Sequence, residues 1–209
     1  CVVSRNEEDR DAGFYETIRY FDLTEREIID NLMPYVEEHF NVLTGRENTA
    51  IAGNSMGGRN SLAIGFKNQD KFGYIGAFSS VSPLPDERHS GGIPALLDEL
   101  KLDSSQFEFL MLSVGKSDNV CGDVTYALHE YMTERGINHV FYDVDGEHEN
   151  KVWQNSLYNF CKNIFDSHYK VKKKLHFSQI YDNGISVQFI FSFICNDSCS
   201  FPKVYIISS

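Results

Sequence analysis

The hexapeptide GNSMGG at residues 53–58 constrains this 209-residue chain more than any other feature. It follows a short apolar run at 48–53 and precedes a helical pattern rich in small residues at 56–68. In a sharp strand-to-helix turn, flanking glycines remove side chains that would collide with neighbouring backbone, and the central serine adopts strained backbone angles. The pattern predicts Ser55 as a nucleophile, with the Met56 N–H at the helix N-terminus facing a developing oxyanion. A glycine-rich turn with a solvent-facing serine is the alternative interpretation.

Strand and helix patterns alternate along the first 166 residues. Apolar runs predict strands at 48–53, 74–79, 107–114 and 138–144. Helical periodicity predicts helices that begin near Thr24, Gly122 and Val152, with a kink at Pro34 in the first and Gly136 as the C-cap of the second. This alternation predicts an α/β fold with a mostly parallel sheet and helices on both faces.

Residues 1–166 and 167–209 differ in composition. The first part has 28 acidic and 14 basic residues, whereas the second has two acidic and five basic residues and contains no Ala, Glu, Arg or Thr. We therefore expect a catalytic domain over 1–166 and an atypical tail over 167–209 that is not part of that domain. A small appended β element is the alternative, since Val187 to Cys195 has the pattern of a strand.

Charge and composition exclude several classes of partner. The formal net charge of −11 disfavours nucleic acid, because phosphate binding needs a basic surface. No apolar stretch approaches the roughly 20 residues of a membrane-spanning helix, so we expect no membrane association. None of the five cysteines forms a CxxC pair or a zinc-like spacing with histidine, so no metal or organic cofactor is expected. The oligomeric state stays open, with a monomer as the simplest expectation.

A serine nucleophile needs a histidine base, and the histidine needs a carboxylate to hold it. In folds with this strand-to-helix elbow the order along the chain is serine, acid, histidine, and the histidine follows a strand. His148, in the turn after the 138–144 strand, fits both conditions. His129 and His139 lie within a predicted helix and at the start of a predicted strand, where a structural role is expected.

The acid should also follow a strand. Asp118 comes directly after the 107–114 strand and is the first choice, and Asp123 is the reserve. Asp143 and Asp145 lie too near His148 in the same strand and turn. A loop carboxylate that caps a helix is the alternative interpretation of Asp118.

Four segments carry a family resemblance: NLMPYVEEHF at 31–40, GNSMGG at 53–58, SVGKSDN at 113–119 and INHVFYDVDGEHENKVWQNSLYNF at 137–160. Over residues 14 to 165 the chain resembles the α/β-hydrolase-type carbohydrate esterases that include feruloyl and acetylxylan esterases. The resemblance implies a secreted serine esterase that removes acyl groups from plant cell-wall xylan or cleaves small feruloyl or acetyl esters. It implies Ser55 as nucleophile, Asp118 as acid and His148 as base, in agreement with the order argument.

The same resemblance raises two further expectations. Met56, Trp153 and the segment from Ser79 to Leu84 are candidates to contact substrate, although ordinary packing is the alternative for each. The family carries further strands and an HG-type loop with a second oxyanion N–H before the elbow, and no such segment precedes residue 14 here. A non-catalytic, truncated or degenerate fragment, or another serine hydrolase such as a thioesterase, is therefore the alternative function.

Overall fold

The computed structural model describes residues 24–81, 107–165, 174–182, 185–193 and 202–207. Seven strands form one sheet in the order β4-β3-β2-β1-β7-β6-β5. They are β1 (Thr49–Asn54), β2 (Tyr74–Phe78), β3 (Phe109–Gly115), β4 (Val140–Val144), β5 (Lys174–Asp182), β6 (Ile185–Phe193) and β7 (Lys203–Ile207). The strands from β4 to β7 in this order pair in parallel, while β6 pairs antiparallel with both of its neighbours. The four predicted strands are thus confirmed within a mostly parallel sheet.

Helical segments precede β1 and connect several of the strands. They are α1 (Thr24–Arg26), a π-helix (Glu27–Leu32), α2 (Met33–His39), a 3₁₀ turn (Arg46–Asn48), α3 (Met56–Lys67), α4 (Gly122–Glu134) and α5 (Asn150–Asn163). Among the residues that the structure describes, no helix combines the length and apolar character needed to cross a bilayer.

Two features at helix ends follow from local chemistry. Pro34 lacks an N–H and is the second residue of α2, directly after the π-helix, whose last turn closes from the Met33 N–H to the Ile28 carbonyl. Gly136 has a φ of 67° and donates to the Thr133 carbonyl, while Ile137 donates to Met132. These bonds form the Schellman motif that ends α4, in which Arg135 is the C-cap and the left-handed Gly136, predicted as the C-cap, is the next residue.

The central strands are buried on both faces. Ile51 of β1 packs in one apolar cluster with Leu62 of α3 and Leu128 of α4, while its neighbours Ala50 and Ala52 pack in a second cluster that includes Phe160 of α5. Alternate side chains of a strand point to opposite faces, so both faces of the sheet carry a helix layer. The predicted α/β layering is confirmed.

One segment of the tail, residues 203–207, lies in the sheet. Residues 203–207 form β7, which pairs in parallel with β1 from Thr49↔Lys203 to Gly53↔Ile207. Tyr205 is buried in the first apolar cluster. The physical reason is that an interior strand buried on both faces needs a hydrogen-bonding neighbour at each edge, and β7 supplies one that composition does not reveal.

Candidate active site

Ser55 lies in a sharp turn between β1 and α3. Its φ of 53° and ψ of −122° are strained for a residue with a side chain, which confirms the predicted elbow. A Cβ on Gly53 would lie 2.4 Å from the Gly57 carbonyl, and a Cβ on Gly57 would lie 2.1 Å from the Ile207 carbonyl. Both glycines are therefore required by close backbone approach, as the sequence predicts.

The sheet register brings three loops to one edge. β1 to β4 are parallel and in step, with Asn54 beside Phe78 and Phe78 beside Ser113, so their carboxyl ends coincide. Ser55 follows β1, Asp118 follows β3 and His148 follows β4. This arrangement agrees with the general location of sites at the carboxyl ends of parallel strands.

The turn that carries Asp118 (the acid turn) and the turn that carries His148 (the histidine turn) are joined by backbone hydrogen bonds. Lys116 N–H donates to the Val144 carbonyl at 2.9 Å, and Ser117 N–H donates to the Gly146 carbonyl at 3.0 Å. A Cβ on Gly115 would lie 2.6 Å from that same carbonyl oxygen of Gly146. Backbone contacts alone therefore fix the distance between the two turns.

Ser55, His148 and Asp118 form one hydrogen-bonded chain. His148 Nδ1 lies 2.9 Å from Asp118 Oδ2, and His148 Nε2 lies 3.1 Å from Ser55 Oγ. An ionised carboxylate only accepts, so Nδ1 carries the proton and Nε2 accepts from the serine hydroxyl. The side chain of His148 is 16% exposed and that of Asp118 is fully buried. This arrangement can transfer the serine proton to the ring while the carboxylate stabilises the resulting imidazolium.

Asp118 is held ionised by several donors. Burial alone would raise its pKa, but the Cys121 N–H, His148, the Ser79 hydroxyl and the Val120 N–H together hold the pKa of Asp118 below its ordinary value. Its Oδ1 accepts from Val120 N–H at 3.0 Å and from Cys121 N–H at 2.8 Å. The carboxylate therefore keeps a fixed orientation toward His148.

Cys121 contacts the acid through its backbone N–H and is not among the residues predicted from sequence, whereas Ser79 is predicted only within the segment that is a candidate to contact substrate. The Cys121 thiol is buried, and burial, together with the nearby Asp118 charge, raises the pKa of Cys121 to about 12. An aspartate just before a helix commonly accepts from backbone N–H groups two and three residues later, and this pattern could have indicated the role of the Cys121 N–H.

Other predicted residues have different surroundings. Trp153 packs edge-to-face on His148, with ring centroids 5.0 Å apart at 83°, and its buried indole N–H has no partner among the described residues. The reserve acid Asp123 is exposed in the first turn of α4. His129 Nδ1 lies 2.8 Å from His139 Nε2, away from Ser55, and burial lowers the pKa of His139.

Three predictions concern the surroundings of the elbow. Met56 is the first residue of α3, so its N–H has no acceptor within the helix and is available to an oxyanion.

Two predictions lie outside the described residues. They concern the substrate candidate Leu84 and the HG-type loop, which would be sought before residue 24. No three His, Cys, Asp or Glu side chains cluster to hold a metal ion in the part of the chain that the structure describes.

Comparisons with known proteins identify a matching family and similar structures. The family described as "Putative esterase" matches residues 3–163. A CE1 ferulic acid esterase from Anaeromyces mucronatus is 34% identical with a TM-score of 0.64, over 74% of this chain and 58% of that one. An S-formylglutathione hydrolase from Staphylococcus aureus is 21% identical with a TM-score of 0.57, over 71% of this chain and 64% of that one, and supports the fold alone.

A curated relative extends the same likeness over a shorter stretch. The endo-1,4-beta-xylanase/feruloyl esterase of Xylanibacter ruminicola is 35% identical over 63 residues, which are 30% of this chain and 9% of that protein. The chain therefore spans less than two thirds of each of these relatives. The fold is that of the α/β-hydrolase-type esterases, as predicted. Because the family model covers most of its length, the chain belongs to this esterase family.

Proposed function

We propose that this chain is a serine esterase that hydrolyses carboxylic esters, with Ser55 as nucleophile, His148 as general base and Asp118 as the acid that holds His148. The observation that carries the proposal is the continuous pair of hydrogen bonds, 2.9 Å and 3.1 Å, from Asp118 through His148 to Ser55. The strained elbow supports it, because strain at a non-glycine residue persists where the surrounding structure enforces it for function.

The reaction proceeds in two halves. Ser55 Oγ attacks the carbonyl carbon and its proton passes to His148 Nε2, giving a tetrahedral oxyanion that the Met56 N–H stabilises. Collapse breaks the ester C–O bond, the alcohol leaves with the proton from His148, and Ser55 is acylated. Water then loses a proton to His148 Nε2 and attacks the acyl carbon. The bond from the acyl carbon to Ser55 Oγ breaks, Oγ regains the proton from His148, and the carboxylic acid leaves.

The substrates that we propose are feruloyl or acetyl esters, either small or attached to plant xylan, encountered outside the cell. Support comes from the relatives, since one is a ferulic acid esterase and another combines a xylanase with a feruloyl esterase. Trp153 is the residue we propose for contact with an acyl or sugar group, because its ring packs on His148 beside the reacting serine.

The test compares wild type with Ser55→Ala on methyl ferulate, an aryl acetate and acetylated xylan. Ser117→Ala is the matched control, because Ser117 is exposed in the acid turn and its only described hydrogen bond is made by its backbone. We expect hydrolysis by wild type and the control, and none by Ser55→Ala. Absence of hydrolysis of all three esters by folded wild type would refute the proposal.

A fluorophosphonate probe separates this function from the non-catalytic alternative. A formed site labels at Ser55 even if the chosen esters are not substrates, because the probe needs only an activated serine. Folded wild type that does not label would favour the degenerate fragment, and labelling with preference for thioesters would favour a thioesterase.

A further inference from the structure

The helix α5 carries uncharged amide side chains at positions where amides do not favour a helix. Its residues, Asn150–Asn163, include four asparagines and no aspartate or glutamate, whereas the whole chain has 30 acidic residues. Asparagine is a poor helix former because its side chain competes for backbone hydrogen bonds. It does so here, since Asn159 Nδ2 donates to the Asn155 carbonyl at 3.1 Å and Asn163 Nδ2 donates to the Asn159 carbonyl at 2.8 Å. Helix stability alone therefore does not account for these amides.

Two of the amides meet the hydroxyl of Tyr142, which lies on β4 at one end of the described sheet order. The Tyr142 hydroxyl donates to Asn155 Oδ1 at 3.3 Å, and Asn159 Nδ2 lies 3.0 Å from that oxygen and 3.4 Å from the hydroxyl. Asn155 is exposed, and its Nδ2 makes no hydrogen bond among the described residues. The two contacts of the hydroxyl are longer than ordinary hydrogen bonds, so these groups can exchange them for the hydroxyls of a ligand.

Tyr158 adds an aromatic ring on the same side of the helix. It is 54% exposed, and Lys162 Nζ lies 5.5 Å from its ring centroid. Tyr158 and Asn159 follow Asn155 by three and four residues, and side chains at these spacings are neighbours on a helix surface. We name Tyr142, Asn155, Tyr158 and Asn159 the α5 amide face.

The α5 amide face is close to the catalytic histidine. Trp153, in the first turn of α5, packs on His148 with ring centroids 5.0 Å apart. Because a helix rises 1.5 Å per residue, Asn155 and Asn159 lie about 3 Å and about 9 Å beyond Trp153 along the helix axis. A polymer that presents an ester to Ser55 is therefore within reach of this face.

We propose that the α5 amide face binds the sugar chain of the polymer whose ester is cleaved, and that this chain is an uncharged, xylan-type main chain. Amides both donate to and accept from sugar hydroxyls, and the flat ring of Tyr158 offers an apolar surface to the C–H groups of a sugar ring. The net charge of −11 repels an anionic polymer but not a neutral one. This inference rests on the proposed function, because it takes the ester to be carried by a polysaccharide.

Binding is measured without turnover in a Ser55→Ala background, by isothermal titration calorimetry with de-esterified arabinoxylan. The test variants are the double substitution Asn155→Ala with Asn159→Ala, and Tyr158→Ala. Tyr35→Ala is the matched control, because Tyr35 is 46% exposed on α2, whose buried residues belong to the first apolar cluster, whereas α5 packs in the second. We expect Kd to rise about tenfold in both α5 variants and to stay unchanged in the control. Absence of arabinoxylan binding in the Ser55→Ala background, or equal Kd in all these proteins, would overturn the proposal.

Kinetics with Ser55 intact separate sugar binding from a structural role of the amides in joining α5 to β4. Both α5 variants should raise KM for feruloylated arabinoxylan about tenfold relative to KM for methyl ferulate. The double variant should melt no lower than wild type, because alanine is the better helix former. A lower melting temperature with the same KM ratio as wild type would assign the amides to structure and overturn the proposal. If wild type hydrolyses no ester and does not label, the proposed function fails, and arabinoxylan binding alone then decides whether the face binds sugar.

Discussion

The carbonyl oxygen of Ile207 lies against Gly57, so closely that a Cβ on this glycine would come within 2.1 Å of it. The same oxygen would be 2.6 Å from a Cβ on Gly53. The last residue of β7 therefore touches both glycines of the elbow. The conformation of the elbow and the position of β7 in the sheet therefore depend on each other.

Gly57→Ala is expected to displace β7 or the elbow. The contact is with backbone, which cannot rotate away, so we expect a loss of about 3 kcal/mol in the free energy of unfolding and loss of ester hydrolysis. Gly136→Ala is the control, because that site has open space and only its φ of 67° opposes a side chain, at about 1 kcal/mol. Urea denaturation measures both. Equal stability of the two variants would contradict the close approach of Ile207.

Removal of residues 167–209 should leave β1 without its β7 neighbour. The exposed edge and the lost burial of Tyr205 and Val204 predict a fragment that aggregates or lacks a cooperative melting transition. Size-exclusion chromatography and circular dichroism provide the measurement. A monomeric 1–166 fragment with a sharp transition would instead favour the sequence-based prediction that the tail stands apart from the domain.

Asp118→Asn should abolish most activity without preventing folding. An amide in place of the carboxylate cannot hold the required tautomer of His148 or stabilise its charged form, and we expect a loss of about 10⁴ in kcat. Asp123→Asn, in an exposed residue of α4, is the control and should keep near wild-type kcat. Comparable losses in the two variants would argue against Asp118 as the acid.

The ionised Asp118 should make stability depend on pH in the acid range. Donors hold its pKa below the ordinary value, so its contribution to stability is full above that value, about 3.9, and is lost as pH falls through the lower native pKa. Between pH 7 and pH 3, the free energy of unfolding of wild type should therefore fall more steeply than that of Asp118→Asn. Urea titrations at each pH test this, and parallel curves would contradict it.

Cys121 should resist alkylation in the folded protein. Because its pKa is raised to about 12, roughly one thiol in 10⁴ is ionised at pH 8, and burial excludes the reagent as well. We expect iodoacetamide to modify Cys121 only after unfolding, as judged by peptide mass spectrometry, with activity unchanged before that point. Rapid modification of Cys121 in folded protein would show that the thiol is more accessible than the structure indicates.

Local chemistry made much of the site predictable. The glycines at 53 and 57 identify the elbow because few sequences satisfy a backbone approach of this kind. His148 and Asp118 could be selected by chain order and by their place after strands, since parallel strands bring their ends to one edge.

Other features depend on contacts between distant parts of the chain. The pairing of β7 with β1 joins Thr49 to Lys203, and no local pattern encodes the choice of partner strand. The left-handed φ of Ser79 accompanies a bond from its own N–H to the Ser113 carbonyl, while its neighbours Phe78 and Val81 bond to the backbone of Ser55. Such features become visible only when the tertiary structure is known.

The hydrogen bonds that join Ser55, His148 and Asp118 also report on folding, because these residues are far apart in sequence. Ser55 and His148 are 93 residues apart in sequence, and His148 and Asp118 are 30 apart. Their meeting requires the crossovers between β1 and β4 to be complete, and long-range strand pairing of this kind is slow to form. Labelling of Ser55 by a fluorophosphonate during refolding would therefore count the molecules whose sheet has assembled, and would give the time course of that assembly.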